Sequence, residues 1–253
     1  MKTVSSAPDP RTDLRPDLSR AARERVIVAL DVPDAQVAFR LVDQLGNLVQ
    51  WFKVGLELYL AEGNALVREL KAHGYSVFLD LKLYDIPNTV AGAVRSAASL
   101  GADMLTLHAS GGPAMLSAAR EAALTVPGAP KLLAVSVLTS MDDSQMQAIG
   151  VPSRPAEQVL RLAKLASEAG ISGLVASSEE IAALRRQFPA FTLVIPGIRP
   201  AGSDAGDQKR IATPAAAIAD GADYLVVGRP ITQAKDPAAA ASLILEEVEK
   251  AGA

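Results

Sequence analysis

The 253-residue chain has no cysteine, a single tryptophan, two histidines and only 4% aromatic residues. The missing cysteines exclude disulfides, thiolate nucleophiles, thiolate-bound zinc and iron–sulfur clusters, and suit a reducing compartment. A basic surplus is also missing: 25 Lys and Arg stand against 28 Asp and Glu, a formal net charge of -3. That balance argues against a nucleic-acid binder working through a broad positive field, so an anionic ligand requires a local cluster of cations. No apolar run approaches the roughly 20 residues needed to cross a bilayer. The first 24 residues, MKTVSSAPDPRTDLRPDLSRAARE, lack a signal-peptide core and read as polar and Pro-containing. These absences predict a cytoplasmic protein with no membrane segment.

Apolar residues make up 49% of the chain, enough for one large core. From residue 25 onward, short runs rich in Val, Ile, Leu or Phe alternate with longer Ala-rich segments whose apolar spacing suits helices. The strands are expected at 25–32, 51–57, 76–83, 104–110, 131–140, 172–178, 192–199 and 223–230. Gly101, Gly170 and Gly221 open the stop-and-turn signals Gly-Ala-Asp or Gly-Ile-Ser before three of them. Eight such units predict an α/β protein of the (β/α)8 TIM-barrel class, and no Gly-x-Gly-x-x-Gly follows the first strand to favour a dinucleotide fold. The expected organisation is a loosely ordered extension over 1–20 followed by one catalytic barrel domain over 21–253. Two long departures, 141–157 and 199–214, follow strands and are candidate active-site loops.

Barrel strands are normally filled with branched apolar side chains, so charges at their C-terminal ends stand out. Here those ends carry Asp31, Lys53, Asp80, Lys82, Thr139, Arg199 and Arg229. In DLKLYDIPNT the two-residue strand period places Asp80 and Lys82 on one face. A carboxylate that close favours the ammonium form of a lysine and keeps itself ionised, which suits proton donation better than amine nucleophilicity. The bland reading is a salt bridge closing the barrel mouth; adding Lys53 and Asp85 makes that costly to bury without function. The segments PGIRP and VVGRP place Arg199 and Arg229 after strands 7 and 8, a common phosphate position. Gly228 permits close backbone approach there, and Gln208 sits in the intervening loop. Asp31 suits either sugar hydroxyls or a cap for the helix near Asp34, and Thr139 either a ligand amide or a turn. His73 and Trp51 read as structural, and His108 as a residue behind the site.

The ordered set ALDVP, FKVGLEL, DLKLYDIPNT, LHASGG, VLTS, PGIRP, GDQKR and VVGRPIT, running from Val26 onward, resembles the orotidine 5'-phosphate decarboxylase family in its bacterial form. Asp-x-Lys-x-x-Asp alone would indicate only a broader suite of barrels. The resemblance implies cofactor-free and metal-free decarboxylation of orotidine 5'-phosphate to UMP. It implies Asp31 at the ribose, Lys53 between sugar and catalytic carboxylate, Asp80 facing the substrate carboxylate, and Lys82 protonating C6. It further implies a homodimer in which Asp85 and Thr89 enter the neighbouring subunit's site, Ile86 beside the pyrimidine, and Thr139 contacting that ring. Arg199, Gln208, Gly228 and Arg229 would grip the phosphate. The commonest family form has Phe-His where this chain has Leu83 and Tyr84, positions without assigned chemistry. The rivals are a metal-dependent sugar-phosphate decarboxylase or synthase of the same suite, a Schiff-base aldolase using Lys53 or Lys82, and a non-catalytic phosphate-binding barrel.

Overall fold

The computed structural model describes residues 18–200 and 212–252. Gln208 and nearly all of the expected 1–20 extension lie outside the described residues. The described chain opens on Leu18, which is buried, and Ser19, whose Oγ accepts from Ala22 N at the start of the first helix.

The strands are β1 Val26–Ala29, β2 Trp51–Gly55, β3 Ser76–Leu83, β4 Met104–His108, β5 Lys131–Val135, β6 Gly173–Val175, β7 Thr192–Ile195 and β8 Tyr224–Val227. All pair in parallel with their sequence neighbours, and β1 also pairs with β8, closing a barrel. The helices are α1 Arg20–Arg25, α2 Ala35–Leu45, α3 Leu56–Ala72, α4 Pro87–Ser99, α5 Gly112–Thr125, α6 Asp143–Ala148, α7 Pro155–Glu168, α8 Ile181–Gln187, α9 Pro214–Ala219, α10 Arg229–Thr232 and α11 Pro237–Gly252. The alternation is that of a (β/α)8 TIM barrel.

Every strand lies within its expected run, but several stop early. The run at 131–140 leaves the ladder after Val135, and Met141 N then donates to Leu138 O at 2.9 Å in a turn. The run at 192–199 stops at Ile195, with Ile198 making only an isolated bridge to Ala212. Val137 and Ile198 remain buried beyond the ladder, so their apolar character reflects packing rather than strand pairing. The 141–157 loop contains α6, closed by a capping box between Asp142 and Gln145.

α2 illustrates how the sequence makes the outer layer. Asp34 Oδ1 accepts from Val37 N at 2.8 Å as the N-cap, and Gly46, at φ 49°, ends the helix. Ala38, Leu41, Val42 and Leu45 form its buried stripe. Inside the barrel, Ile27, Ala29, Phe78, Met104, Leu133, Val194 and Val226 form a separate apolar plug. Trp51 and Tyr224 pack against it, with ring centroids 5.5 Å apart.

Carboxylates fasten the opposite, N-terminal end of the strands. Asp103 Oδ2 accepts from Val77 N at 2.7 Å and pairs with Lys71 Nζ at 2.6 Å. Asp223 Oδ2 accepts from Leu193 N and from Arg185 Nη2, both at 2.7 Å. Each Asp ends a Gly-Ala-Asp turn, so the same tripeptide that reverses the chain ties the incoming strand to its neighbour.

Candidate active site

A cavity of about 590 Å³ opens at the C-terminal end of the barrel, over the apolar plug. It is of ordinary size for a small-molecule site. Its lining brings together Asp31, Lys53, Asp80, Lys82, Thr139, Arg199, Gly228 and Arg229. Ala29, Phe78 and Val226 of the plug form part of its floor.

The charges alternate. Asp31 Oδ1 accepts from Lys53 Nζ at 2.8 Å, Lys53 Nζ lies 3.5 Å from Asp80 Oδ2, and Asp80 Oδ1 is 2.8 Å from Lys82 Nζ. Asp31 is therefore a partner of Lys53, and the capping role falls to Asp34. Lys53 is only 8% exposed, a strongly desolvated position for an ammonium that the two carboxylates offset. Burial pushes the Asp80 carboxyl up, but Lys53, Lys82 and the hydrogen bonds from Lys82 and Thr106 outweigh it, so its pKa lies below the usual value. Asp80 is a carboxylate throughout the neutral range.

The adjacency of Asp80 and Lys82 does not come from regular strand alternation. Leu79 pairs with Leu105 and Leu83 with Leu107, so three residues of β3 stand opposite one of β4. Within this bulge Lys82 has φ 51°, and no other non-glycine among the described residues has positive φ. Left-handed backbone at such a residue costs on the order of 1 kcal/mol or more and persists only where surrounding contacts impose it. The bulge turns the Lys82 side chain back over Asp80 and into the cavity mouth.

Two contributors escape a reading of charges. Thr106 sits in the apolar strand MLTLH, fully buried, and its Oγ1 contacts both Asp80 and the Lys82 backbone. Gly55 ends β2, where a Cβ would lie 2.9 Å from Lys53 Nζ and 3.0 Å from Asp31 Oδ1. A side chain there would press on the first link of the charge chain. Gly55 was legible only as part of FKVGLEL, and Thr106 carries no signal beyond a polar residue in a buried strand.

Arg199, which also lines the cavity, is 7% exposed, its backbone N donating to Ala212 O at 2.9 Å and its Nη1 to Ile198 O at 2.9 Å. Arg229 is exposed and opens α10, directly after Gly228. Asp85, Ile86 and Thr89 are exposed and do not line the cavity of their own chain. Asp85 Oδ1 accepts from Ile86 N at 2.6 Å, outside the cluster with Lys53 and Lys82 in which the sequence motif groups it. His108 ends β4 beside Tyr84, ring centroids 5.8 Å apart, and does not line the cavity. Burial lowers the His108 pKa, Lys82 adding to the shift and Asp80 opposing it. His73 caps α3 and meets Phe39 edge-on at 6.0 Å.

The sequence profile of the Orotidine 5'-phosphate decarboxylase / HUMPS family matches residues 24–244. The chain belongs to this family. An orotidine 5'-phosphate decarboxylase of Moorella thermoacetica is 53% identical over 235 residues, covering 90% of this chain and 93% of the relative. One of Halorhodospira halophila is 54% identical over 229 residues, covering 90% and 97%. The crystal structure of orotidine 5'-phosphate decarboxylase from Lactobacillus acidophilus superposes with a TM-score of 0.79 at 39% identity, covering 89% of this chain and 99% of that one. The family match spans every strand of the barrel, including the Asp80–Lys82 bulge and both arginines that line the cavity. Among the described residues no helix is long and apolar enough to cross a membrane.

Proposed function

We propose that the protein converts orotidine 5'-phosphate to UMP and CO2, a decarboxylation of de novo pyrimidine biosynthesis. The carrying observation is the chain Asp31–Lys53–Asp80–Lys82 in a cavity that Arg199 and Arg229 also line. Such a cavity suits a ligand that carries both a phosphate and a reacting carboxylate.

In this reading Arg199, Arg229 and the backbone at Gly228 hold the phosphate together with Gln208, which lies outside the described residues. Asp31 and Lys53 meet the ribose hydroxyls, and Thr139 meets the pyrimidine. The C6–carboxylate bond breaks, CO2 leaves, and the electron pair stays on C6. The Lys82 ammonium, fixed before the reaction begins, stabilises that charge and delivers a proton to C6, giving UMP; the neutral amine regains its proton from water. Asp80 orients Lys82. This scheme needs neither metal nor organic cofactor. Lys53 Nζ also occupies the space between Asp31 and Asp80 where a cation bridging those carboxylates would bind, which disfavours the metal-dependent rival.

The proposed active species is a cytoplasmic homodimer in which Asp85 and Thr89 complete the partner's site. Their exposure outside their own cavity supports this, as do exposed Leu60, Tyr84 and Ile86 beyond the ends of neighbouring strands. A closed barrel has no free strand edge, so side-chain packing must supply the contact.

Loss of orotidylate absorbance with purified, chelator-treated protein tests the reaction. Turnover by the wild type, abolished in Lys82→Ala, is expected; chelator sensitivity or a borohydride-trapped lysine adduct would sink the scheme. Mixing inactive Lys82→Ala with inactive Asp85→Ala chains tests site sharing. Recovery of activity in the exchanged dimers is expected, and no recovery with exchange verified would refute sharing.

A further inference from the structure

We propose that Thr106 is a positioning residue for the decarboxylation, its one hydroxyl fixing both the Asp80 carboxylate and the backbone that aims Lys82. The inference rests on the function proposed above and adds a residue outside the charged set. Thr106 is the single β4 residue opposite the three-residue bulge of β3. At that point the ladder register gives Lys82 no backbone partner on β4. The hydroxyl takes its place: Lys82 N donates to Thr106 Oγ1 at 2.8 Å, and Thr106 Oγ1 donates to Asp80 Oδ1 at 3.0 Å.

A hydroxyl has one hydrogen and two acceptor lone pairs. Asp80 is an ionised carboxylate and can only accept, and a backbone N–H can only donate, so both bonds have fixed direction. Thr106 cannot turn its hydrogen elsewhere without abandoning Asp80, and it has no solvent to turn to because it is fully buried. The same Oδ1 also receives Lys82 Nζ at 2.8 Å. Backbone N, hydroxyl, carboxylate and ammonium thus form a closed circuit that starts and ends on Lys82. It holds the left-handed backbone of Lys82 and sets the distance from its ammonium to the cavity. Supporting groups of this kind matter because a displacement of about 1 Å at a reacting group can cost about 100-fold in rate.

Thr106→Val keeps the shape and removes the hydroxyl; Thr106→Ser keeps the hydroxyl. The valine variant is expected to lose kcat by about 100-fold, with KM for orotidine 5'-phosphate and Kd for UMP within about 3-fold of wild type, because the phosphate grip is untouched. The serine variant is expected to recover kcat to within about 5-fold, since it restores both hydrogen bonds. A purely structural role would instead lower the folded fraction and leave kcat per folded site unchanged. If the valine chain does not fold, Thr106→Cys serves in its place, a similar volume with a weak donor and acceptor; its kcat is expected at least about 10-fold below that of Thr106→Ser. Wild-type kcat in the valine or cysteine variant, or no difference between serine and valine, would overturn the role of Thr106. An inactive wild type would instead overturn the decarboxylase reading itself.

Discussion

The two ends of the barrel use the same residue types in opposite ways. At the N-terminal end, Asp103 and Asp223 each bind one backbone N–H of a neighbouring strand and one cation from a helix. Their valences go to chain connections, and each pair is isolated from the other. At the C-terminal end, Asp31, Lys53, Asp80 and Lys82 address one another in series around an open cavity. Among these four, only Lys82 turns a backbone group to the network, and it does so through Thr106. The contrast lies in what else each carboxylate binds: Asp103 and Asp223 each take a backbone N–H beside their cation, whereas Asp80 takes two ammonium groups beside a cavity.

The sharpest break of this comparison is Lys82→Ala. It should reduce kcat/KM by at least about 10⁴-fold, the combined scale of general-acid and electrostatic contributions, while the melting temperature, followed by circular dichroism, stays within a few degrees. Next comes Gly55→Ala. The added methyl group must displace the Lys53 ammonium or Asp31, and a loss of about 10-fold in kcat/KM is expected from their misplacement. An unchanged rate would show that the first link of the chain tolerates movement.

The opposite end should behave in reverse. Asp223→Ala leaves the buried Leu193 N–H without its acceptor and should cost about 1–3 kcal/mol. At this chain length that lowers the melting temperature by roughly 3–10 °C, with kcat per folded site unchanged. A large fall in kcat would erase the distinction between the two ends.

The smallest effect is on acid stability. Asp80 has a folded pKa below its unfolded value, so its contribution is present above the unfolded pKa of about 3.9 and is lost as pH falls through the folded value. The difference in melting temperature between wild type and Asp80→Asn should therefore shrink as pH drops from about 5 toward 2. A constant difference over that range would mean that Asp80 titrates as in the unfolded chain.

Much of this arrangement is legible in the sequence because the barrel separates its tasks along each strand. Apolar runs locate all eight strands, and charges terminating them locate the cavity. The runs overstate strand length at 131–140 and 192–199 because hydrophobicity reports burial, and residues folding over the barrel mouth are as buried as those in the ladder. The motif DLKLYD also groups Asp85 with Lys82, although the chain leaves the strand at Tyr84 and carries Asp85 away from the cavity. Strand period two predicts Asp80 and Lys82 as neighbours, and they are, but through a bulge that local sequence does not encode. That bulge depends on register against β4, a non-local property, and Thr106 acquires its importance only there.

The bulge also makes one amide of the protein observable in a particular way. A ladder amide exchanges with solvent deuterium when its strand opens; the Lys82 amide is held by a side chain that also holds Asp80. Its exchange rate, measured against those of its ladder neighbours, is therefore an internal gauge of the Asp80 carboxylate, readable with no substrate bound and no reaction under way.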